Sequence, residues 1–149
     1  MLSNRILLIE DEPQIAEALT HALNEESLDT TRVGTISDAR EAYKNDTFDL
    51  IILDVGLPDG NGFDFGKEIR GNGANIPIIF LTARSDEVDE VRGLSIGADD
   101  YVKKPFSAIA LSMRIKKILV KNHLVKNCLV KNRLLKIRLF KNRIVKIAL

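Results

Sequence analysis

The sequence has no tryptophan, one cysteine and four prolines among its 149 residues. The lone cysteine, Cys128, cannot form a disulfide within the chain and excludes a cysteine-rich metal cluster. No stretch approaches the roughly 18 uninterrupted apolar residues of a membrane-spanning helix. The apolar run that begins at Ile6 is too short for a secretory signal. These absences lead us to expect a cytoplasmic protein.

Acidic residues are missing from the C-terminal part of the sequence. Residues 1–106 contain ten Lys and Arg against 21 Asp and Glu, a net charge of −11. Residues 107–149 contain the other twelve basic residues and no acidic one. This asymmetry predicts an acidic domain followed by a basic tail.

Residues 1–106 alternate short aliphatic runs with amphipathic stretches. Unbroken aliphatic runs are typical of strands buried on both faces, and their alternation with helices predicts a parallel sheet with right-handed crossovers. Pro13 suits a first helical turn, and Ser37 is a candidate N-cap. The predicted strands are 5–9, 29–33, 50–53, 77–81 and 101–102; the predicted helices follow Pro13 and Ser37 and cover 63–70 and 85–96. The fold class is therefore an α/β three-layer sandwich.

Polar side chains follow the predicted strands, at the sheet edge where α/β proteins bind ligands. Carboxylates packed closely repel one another unless a cation joins them, and all-oxygen ligands select a hard ion such as Mg²⁺. Each carboxylate by itself is better explained as a helix cap. The set with a lysine favours a phosphoryl site. Its members are Glu10, Asp11, Glu12, Asp54, Thr82 and Lys104.

Four segments in register carry a family resemblance: "LIEDEP", "LDVGLPDGNG", "FLTARS" and "GADDYVKKPF". Together they resemble the receiver domain of bacterial two-component response regulators, of the OmpR/PhoB type and similar to its CreB-like members. The resemblance implies a flavodoxin-like five-stranded parallel sheet of order 2-1-3-4-5. It places a receiver domain at residues 1–118 and leaves a basic pentapeptide-repeat tail at 119–149.

The resemblance also implies the chemistry. Asp54 would accept a phosphoryl group from a sensor histidine kinase. Mg²⁺ would be bound by Asp11, Asp54 and the main-chain oxygen of Gly56, with Glu10 acting through water. The chain would be a phosphoacceptor rather than an enzyme, promoting its own phosphorylation from small phosphodonors and its own dephosphorylation. A haloacid-dehalogenase-like phosphatase would need an aspartate where Gly56 stands.

The resemblance also implies a conformational switch. Lys104 would pair with one phosphoryl oxygen and the Thr82 hydroxyl with another. Tyr101 would then move inward and relay the change to the face formed by the fourth helix, fifth strand and fifth helix. The peptide bond between Lys104 and Pro105 would be cis.

The sequence departs from the family at the dimer face and at the output domain. Asp99, Asp100 and Arg114 match the ion pairs of that face, whereas Glu90 and Ala110 replace one basic and acidic pair, which leaves a homodimer open. The residues after Phe106 contain no winged-helix pattern. We therefore expect a receiver without that output domain and without DNA binding by that route.

Lysine recurs at every fifth position from Lys116 to Lys146. A five-residue step advances about 140° around a helix, so neither lysines nor aliphatic pairs stay on one face. Four interpretations remain: a short solenoid, a basic arm that binds nucleic acid, anionic lipid or a partner protein, a plain continuation of the fifth helix, or a translated nucleotide repeat left by a frameshift.

Overall fold

The structure, a computed structural model, describes residues 3–83, 91–93 and 95–147. The described strands are β1 (Arg5–Ile9), β2 (Asp29–Val33), β3 (Leu50–Asp54), β4 (Gly56–Leu57), β5 (Gly60–Asn61), β6 (Ile78–Thr82) and β7 (Asp100–Lys103). The helices are α1 (Pro13–Glu25), α2 (Ile36–Asn45), α3 (Gly62–Gly71) and the C-terminal helix (Ala108–Ile147). Residues 91–93 and 95 are also helical.

The described strands form a five-stranded sheet of order β2-β1-β3-β6-β7, and each pairing in it is parallel. This order is the predicted 2-1-3-4-5, because β6 and β7 are the fourth and fifth predicted strands. The α/β receiver-type fold is therefore confirmed. A two-stranded antiparallel hairpin, β4–β5, was not predicted and lies between β3 and α3.

The central strands are buried along their whole length, as their unbroken aliphatic runs predict. Every residue of β3 and of β6 is buried. Phe63 and Phe80 are the largest fully buried side chains among the described residues, and their ring centroids lie 4.9 Å apart in an edge-to-face arrangement. Burying a large apolar side chain contributes roughly 1.5–3 kcal/mol, so the sheet is held by its own apolar surface and presents its strand ends as a fixed edge.

Helix starts agree with the sequence at one place and differ at another. Pro13 occupies the first turn of α1, as predicted. The candidate N-cap Ser37 is wrong, because the chain is already helical at Ile36 and the capping side chain is Thr35, whose Oγ1 accepts a hydrogen bond from Asp38 N at 3.1 Å. The predicted helix 85–96 lies partly outside the described residues.

The chain divides into two units, Met1–Ile115 and Lys116–Leu149. In the second unit the chain is helical to Ile147, and the side chains of Leu124, Leu129 and Leu134 are between 61% and 64% exposed. Among the described residues, no helix combines the length and the apolarity needed to cross a membrane. The predicted boundary between a receiver at 1–118 and a tail at 119–149 stays a prediction.

We expect Gly62→Ala to destabilise the protein by about 3 kcal/mol, because the new Cβ would overlap the main-chain oxygen of Asp54 and the backbone cannot rotate away. Gly71→Ala is the matched control, since its Cβ would meet no described atom within 4 Å and alanine favours a helix by up to about 1 kcal/mol. Urea unfolding of both variants measures the difference. Equal midpoints would contradict the packing assigned to Gly62.

Candidate functional site

The carboxyl ends of four strands bring the predicted polar residues to one edge. Asp54 is the last residue of β3 and lies opposite Leu81 of β6. Thr82 ends β6 opposite Lys103 of β7, and the backbone N–H of the next residue, Lys104, donates to the main-chain oxygen of Thr82 at 2.7 Å. The parallel register therefore places an aspartate, a hydroxyl and a lysine side by side.

The ammonium of Lys104 is the centre of the site. Its Nζ lies 2.8 Å from Glu10 Oε2, 3.0 Å from Glu12 Oε1 and 3.3 Å from Asp54 Oδ2. The Lys104 side chain is only 8% exposed, and that of Asp54 5%. A cation so enclosed interacts with its partners far more strongly than a surface lysine does, because little water screens the charges. The bond from Lys104 to Pro105 is cis, as predicted.

Glu10 is a fully buried carboxylate, at 0% exposure. One of its oxygens, Oε1, accepts a hydrogen bond from the backbone N–H of Glu12 at 3.0 Å, and the other faces Lys104. The Glu12 side chain is 57% exposed, yet Glu12 makes two contacts in the site, one from its backbone N–H to Glu10 and one from its carboxylate to Lys104. Sequence analysis assigned Glu12 no separate role. Its position two residues beyond Glu10, at the turn into α1, is the signal that would have identified it.

Burial and the neighbouring charges shift the pKa values of Lys104 and Asp54. Burial opposes the charge of Lys104, but its hydrogen bonds to Glu10 and Glu12 and the nearby charge of Asp54 outweigh burial and raise the pKa of the ammonium above its ordinary value. Burial and then the charge of Glu10 raise the pKa of Asp54 to about 6, against the opposing effects of Lys104 and Gly56. The negative charge of the Asp54 carboxylate is therefore not fully compensated, because the Lys104 ammonium is shared among three carboxylates.

The acidic residues fit a hard divalent cation. Ligand oxygens of Glu10, Glu12 and Asp54 lie within 4.8 Å of one another. The set contains only carboxylates, the donors that Mg²⁺ prefers, and the raised pKa of Asp54 indicates that a further cation beside it would be favourable. Asp11 is exposed, and among the described residues it is not one of the carboxylates brought together.

A cavity of about 330 Å³ opens beside Asp54. The β4–β5 hairpin contributes one wall through Gly56, Leu57 and Gly60, and Thr82 lines the cavity as well. The backbone N–H of Gly56 points back to the aspartate and donates to Asp54 Oδ1 at 3.3 Å. The carboxylates of Glu12 and Asp54, the Lys104 ammonium and the Thr82 hydroxyl therefore belong to residues that line a space large enough for a small anionic group.

The predicted switch residues lie next to this cavity and next to the core. Thr82 is 1% exposed at the end of β6. The Tyr101 ring stacks on Phe63, with centroids 6.4 Å apart and planes 6° from parallel. A Cβ on Gly93 would come within 3.0 Å of the Tyr101 ring, so this part of the chain is closely packed around the tyrosine.

The residues predicted for a dimer face have partners within the chain. Asp100 Oδ2 lies 2.7 Å from Arg114 Nη2. Asp99 Oδ2 accepts a hydrogen bond from Ile78 N at 3.1 Å and lies 3.8 Å from Arg70. Ala110 is exposed.

Glu90, the other position discussed for the dimer face, lies outside the described residues. The dimer therefore stays a prediction.

A family model for the response regulator receiver domain matches residues 6–116. The chain belongs to the response regulator receiver family. Receiver domains are phosphoacceptors of two-component systems, partnered by histidine kinases, and they bind Mg²⁺ at an acidic pocket. In this chain the carboxylates of Glu10, Glu12 and Asp54 form an acidic cluster around Lys104.

Two proteins of similar sequence support the family and its OmpR/PhoB type. The chain is 42% identical over 121 residues to the DNA-binding response regulator MtrA of Mycolicibacterium smegmatis, covering 81% of this chain and 53% of that protein. It is 39% identical over 119 residues to the transcriptional regulatory protein CreB of Escherichia coli K12, covering 80% and 52%. The chain thus spans about half the length of these relatives.

Solved receiver domains share the fold. The non-phosphorylated HemR receiver domain of Leptospira biflexa superposes with a TM-score of 0.74 at 35% identity, covering 78% of this chain and 94% of that one. The BeF₃-activated receiver domain of RstA from Klebsiella pneumoniae has a TM-score of 0.72 at 27% identity, covering 78% and 98%.

The raised pKa of Asp54 predicts a pH-dependent stability in the protein without Mg²⁺. A folded pKa of about 6 against an ordinary 3.8 means that the contribution of the protonated carboxyl is fully present below about pH 4 and is lost as the pH rises through about 6. Relative to wild type, Asp54→Asn should therefore gain about 1–2 kcal/mol more near pH 7.5 than near pH 5. Urea unfolding at the two pH values measures this gain.

Asp64→Asn is the control, because Asp64 is exposed and the substitution removes one carboxylate charge without changing Glu10, Glu12, Asp54 or Lys104. A gain for Asp54→Asn that is the same at both pH values would contradict the raised pKa.

Proposed function

We propose that the chain is a phosphorylation-dependent switch of a two-component system, in which Asp54 accepts the phosphoryl group of a histidine kinase. The observation that carries this proposal is the enclosure of Lys104 between Asp54, Glu10 and Glu12, at 2.8–3.3 Å, beside an open cavity. A buried carboxylate that faces a cavity and touches an ammonium has both a nucleophilic oxygen and a charge to stabilise what it receives.

The transfer follows from these groups. An oxygen of Asp54 attacks the phosphorus, the bond between phosphorus and the kinase histidine nitrogen breaks, and its electron pair returns to the imidazole. Asp54 then carries an acyl phosphate. Lys104 pairs with one phosphoryl oxygen as a point charge, and the Thr82 hydroxyl donates a hydrogen bond to another. Asp54 must be ionised to attack, which its raised pKa would oppose without a further cation.

Bound Mg²⁺ would supply that further positive charge and neutralise the phosphoryl oxygens. We propose Asp11, Asp54 and the main-chain oxygen of Gly56 as its protein ligands, with Glu10 acting through water. Glu10 is already bonded to Lys104 and to the Glu12 backbone, which suits a supporting role. Asp11 is exposed and follows directly after Glu10, so its carboxylate is free of the lysine cluster.

The switch would work through Thr82 and Tyr101. Movement of the Thr82 hydroxyl toward the phosphoryl group would change the packing around the Tyr101 ring, which rests on Phe63. Tyr101 lies in β7, next to Asp100 and its ion pair with Arg114. A change at Tyr101 therefore reaches the face on which we place a homodimer contact, including Asp99.

We expect the protein to gain one phosphoryl group when incubated with Mg²⁺ and a small acyl phosphate, as read by intact mass. Asp54→Asn should gain none, since its amide nitrogen and oxygen are poor nucleophiles. Omitting Mg²⁺ should slow wild-type phosphorylation by at least roughly tenfold.

Asp64→Asn again provides the matched control and should phosphorylate like wild type. Wild type without an adduct, or an undiminished adduct on Asp54→Asn, would overturn the phosphoacceptor assignment.

We propose that residues 1–118 are the receiver domain and residues 119–149 a separate tail. A variant ending at Ile118 should keep the far-ultraviolet circular dichroism of a folded α/β protein and should phosphorylate within about twofold of the full chain. Loss of the cooperative thermal transition in this variant, or a much slower phosphorylation, would show that the tail belongs to the receiver.

A further inference from the structure

The tip of the β4–β5 hairpin is fastened to the start of α2 by one side chain. Asp59 Oδ1 accepts a hydrogen bond from Ile36 N at 2.8 Å, and Asp59 Oδ2 accepts one from Ser37 N at 3.0 Å. These two donors lie in the first turn of α2, where backbone N–H groups have no partner within the helix. The carboxylate thus bridges two segments that are 22 residues apart in the sequence.

A second contact joins the same two segments. The backbone of Gly60 passes so close to α2 that an added Cβ would lie 2.9 Å from Cδ1 of Ile36. Ile36 and Leu57 also belong to one buried apolar cluster. The hairpin tip is therefore held against α2 by polar contacts on one side and by apolar packing on the other.

The base of the hairpin is fastened to its own neighbours. Gly62 N donates to Val55 O at 2.8 Å, and the Asn61 side chain accepts from Phe63 N at 2.8 Å, which caps α3. The base is thus tied to β3 and α3 through local bonds. Asp59 supplies the polar link at the tip, which reaches another element of the fold.

The hairpin in turn shapes the site. It forms one wall of the cavity beside Asp54, and its first residue, Gly56, donates its N–H to Asp54 Oδ1. A hairpin of two-residue strands has few ladder bonds of its own, so its placement depends on what holds its tip. A tip released from α2 would loosen Gly56 and the cavity wall together.

We propose that Asp59 is a positioning residue for the chemistry at Asp54: by anchoring the hairpin to α2, it holds Gly56 where its main chain completes the magnesium and phosphoryl site. The inference rests on the proposed function of Asp54. Asp59 acts through the backbone of the hairpin and does not touch the phosphoryl group. Without the anchor, the site is assembled for a smaller part of the time, and both Mg²⁺ affinity and the phosphorylation rate fall.

The chain offers a matched control for the alternative that Asp59 serves α2 alone. Thr35 also caps α2, through Asp38 N, but has no bond to the hairpin among the described contacts. Thr35→Ala and Asp59→Ala therefore both remove a cap of α2, and only Asp59→Ala releases the hairpin. Asp59→Asn keeps one carbonyl oxygen as an acceptor and should lie between wild type and Asp59→Ala.

Three measurements on the full chain test the inference. Amide hydrogen exchange without Mg²⁺ reports the hairpin, Mg²⁺ titration followed by amide chemical shifts reports the affinity, and phosphorylation by a small acyl phosphate reports the rate. In Asp59→Ala we expect exchange at residues 56–62 to rise, Mg²⁺ affinity to fall and phosphorylation at limiting Mg²⁺ to slow, each by roughly five- to tenfold. Thr35→Ala should stay within about twofold of wild type in all three.

Two results would overturn the inference: equal effects of Asp59→Ala and Thr35→Ala on Mg²⁺ affinity, or unchanged exchange at residues 56–62 in Asp59→Ala. If Asp59→Ala does not fold, Asp59→Asn decides by the same comparisons. A wild type that takes up no phosphoryl group would refute the proposed function instead, whereas exchange and Mg²⁺ titration would still decide whether Asp59 positions the hairpin.

Discussion

The ion pairs of Lys104 hold the functional edge of the sheet together. Its ammonium joins Glu10, which follows β1, to Asp54, which ends β3, while Lys104 itself follows β7. Three carboxylates could not lie this close in a largely buried site without a cation, because their mutual repulsion and lost hydration would exceed what the surrounding packing supplies. One lysine cannot balance the charge of three carboxylates, and burial together with the charge of Glu10 raises the pKa of Asp54. The deficit of positive charge is what makes the site receptive to a metal ion.

Burial of the apolar sheet offsets the free-energy cost of holding these charges close together. β3 and β6 are buried on both faces and cannot shift in register without exposing aliphatic side chains. Their ends, Asp54 and Thr82, are therefore placed by packing rather than by the polar contacts that they make. The hairpin that follows β3 buries less apolar surface, since Leu57 is the buried residue of its two short strands, and single side chains such as Asp59 and Asn61 also fix its position.

The helix of the second unit, Lys116–Leu149, differs from the helices of the first unit in what stabilises it. A five-residue period in lysine distributes charge and aliphatic groups around the whole helix, and Leu124, Leu129 and Leu134 are accordingly exposed. Helix formation there needs only good intrinsic propensity and the absence of glycine and proline after Pro105. Regular secondary structure in this unit is therefore no indication of a packed core, in contrast to α1, whose Leu19 and Leu23 are fully buried.

The sequence by itself determined the fold class and the set of polar residues at the sheet edge, because aliphatic runs and Pro13 are local patterns. The strand order came from the resemblance of the four motifs to a known family. Sequence analysis misplaced the cap of α2 at Ser37, missed the β4–β5 hairpin, and assigned no separate role to Glu12 and none to Asp59. Those features were decided by the tertiary structure. Glu12 meets Lys104 across 92 positions, and Asp59 meets α2 across 22 or 23. Which of several neighbouring carboxylates reaches a distant donor depends on how the strands and turns bring the two segments together, and no local pattern records that choice.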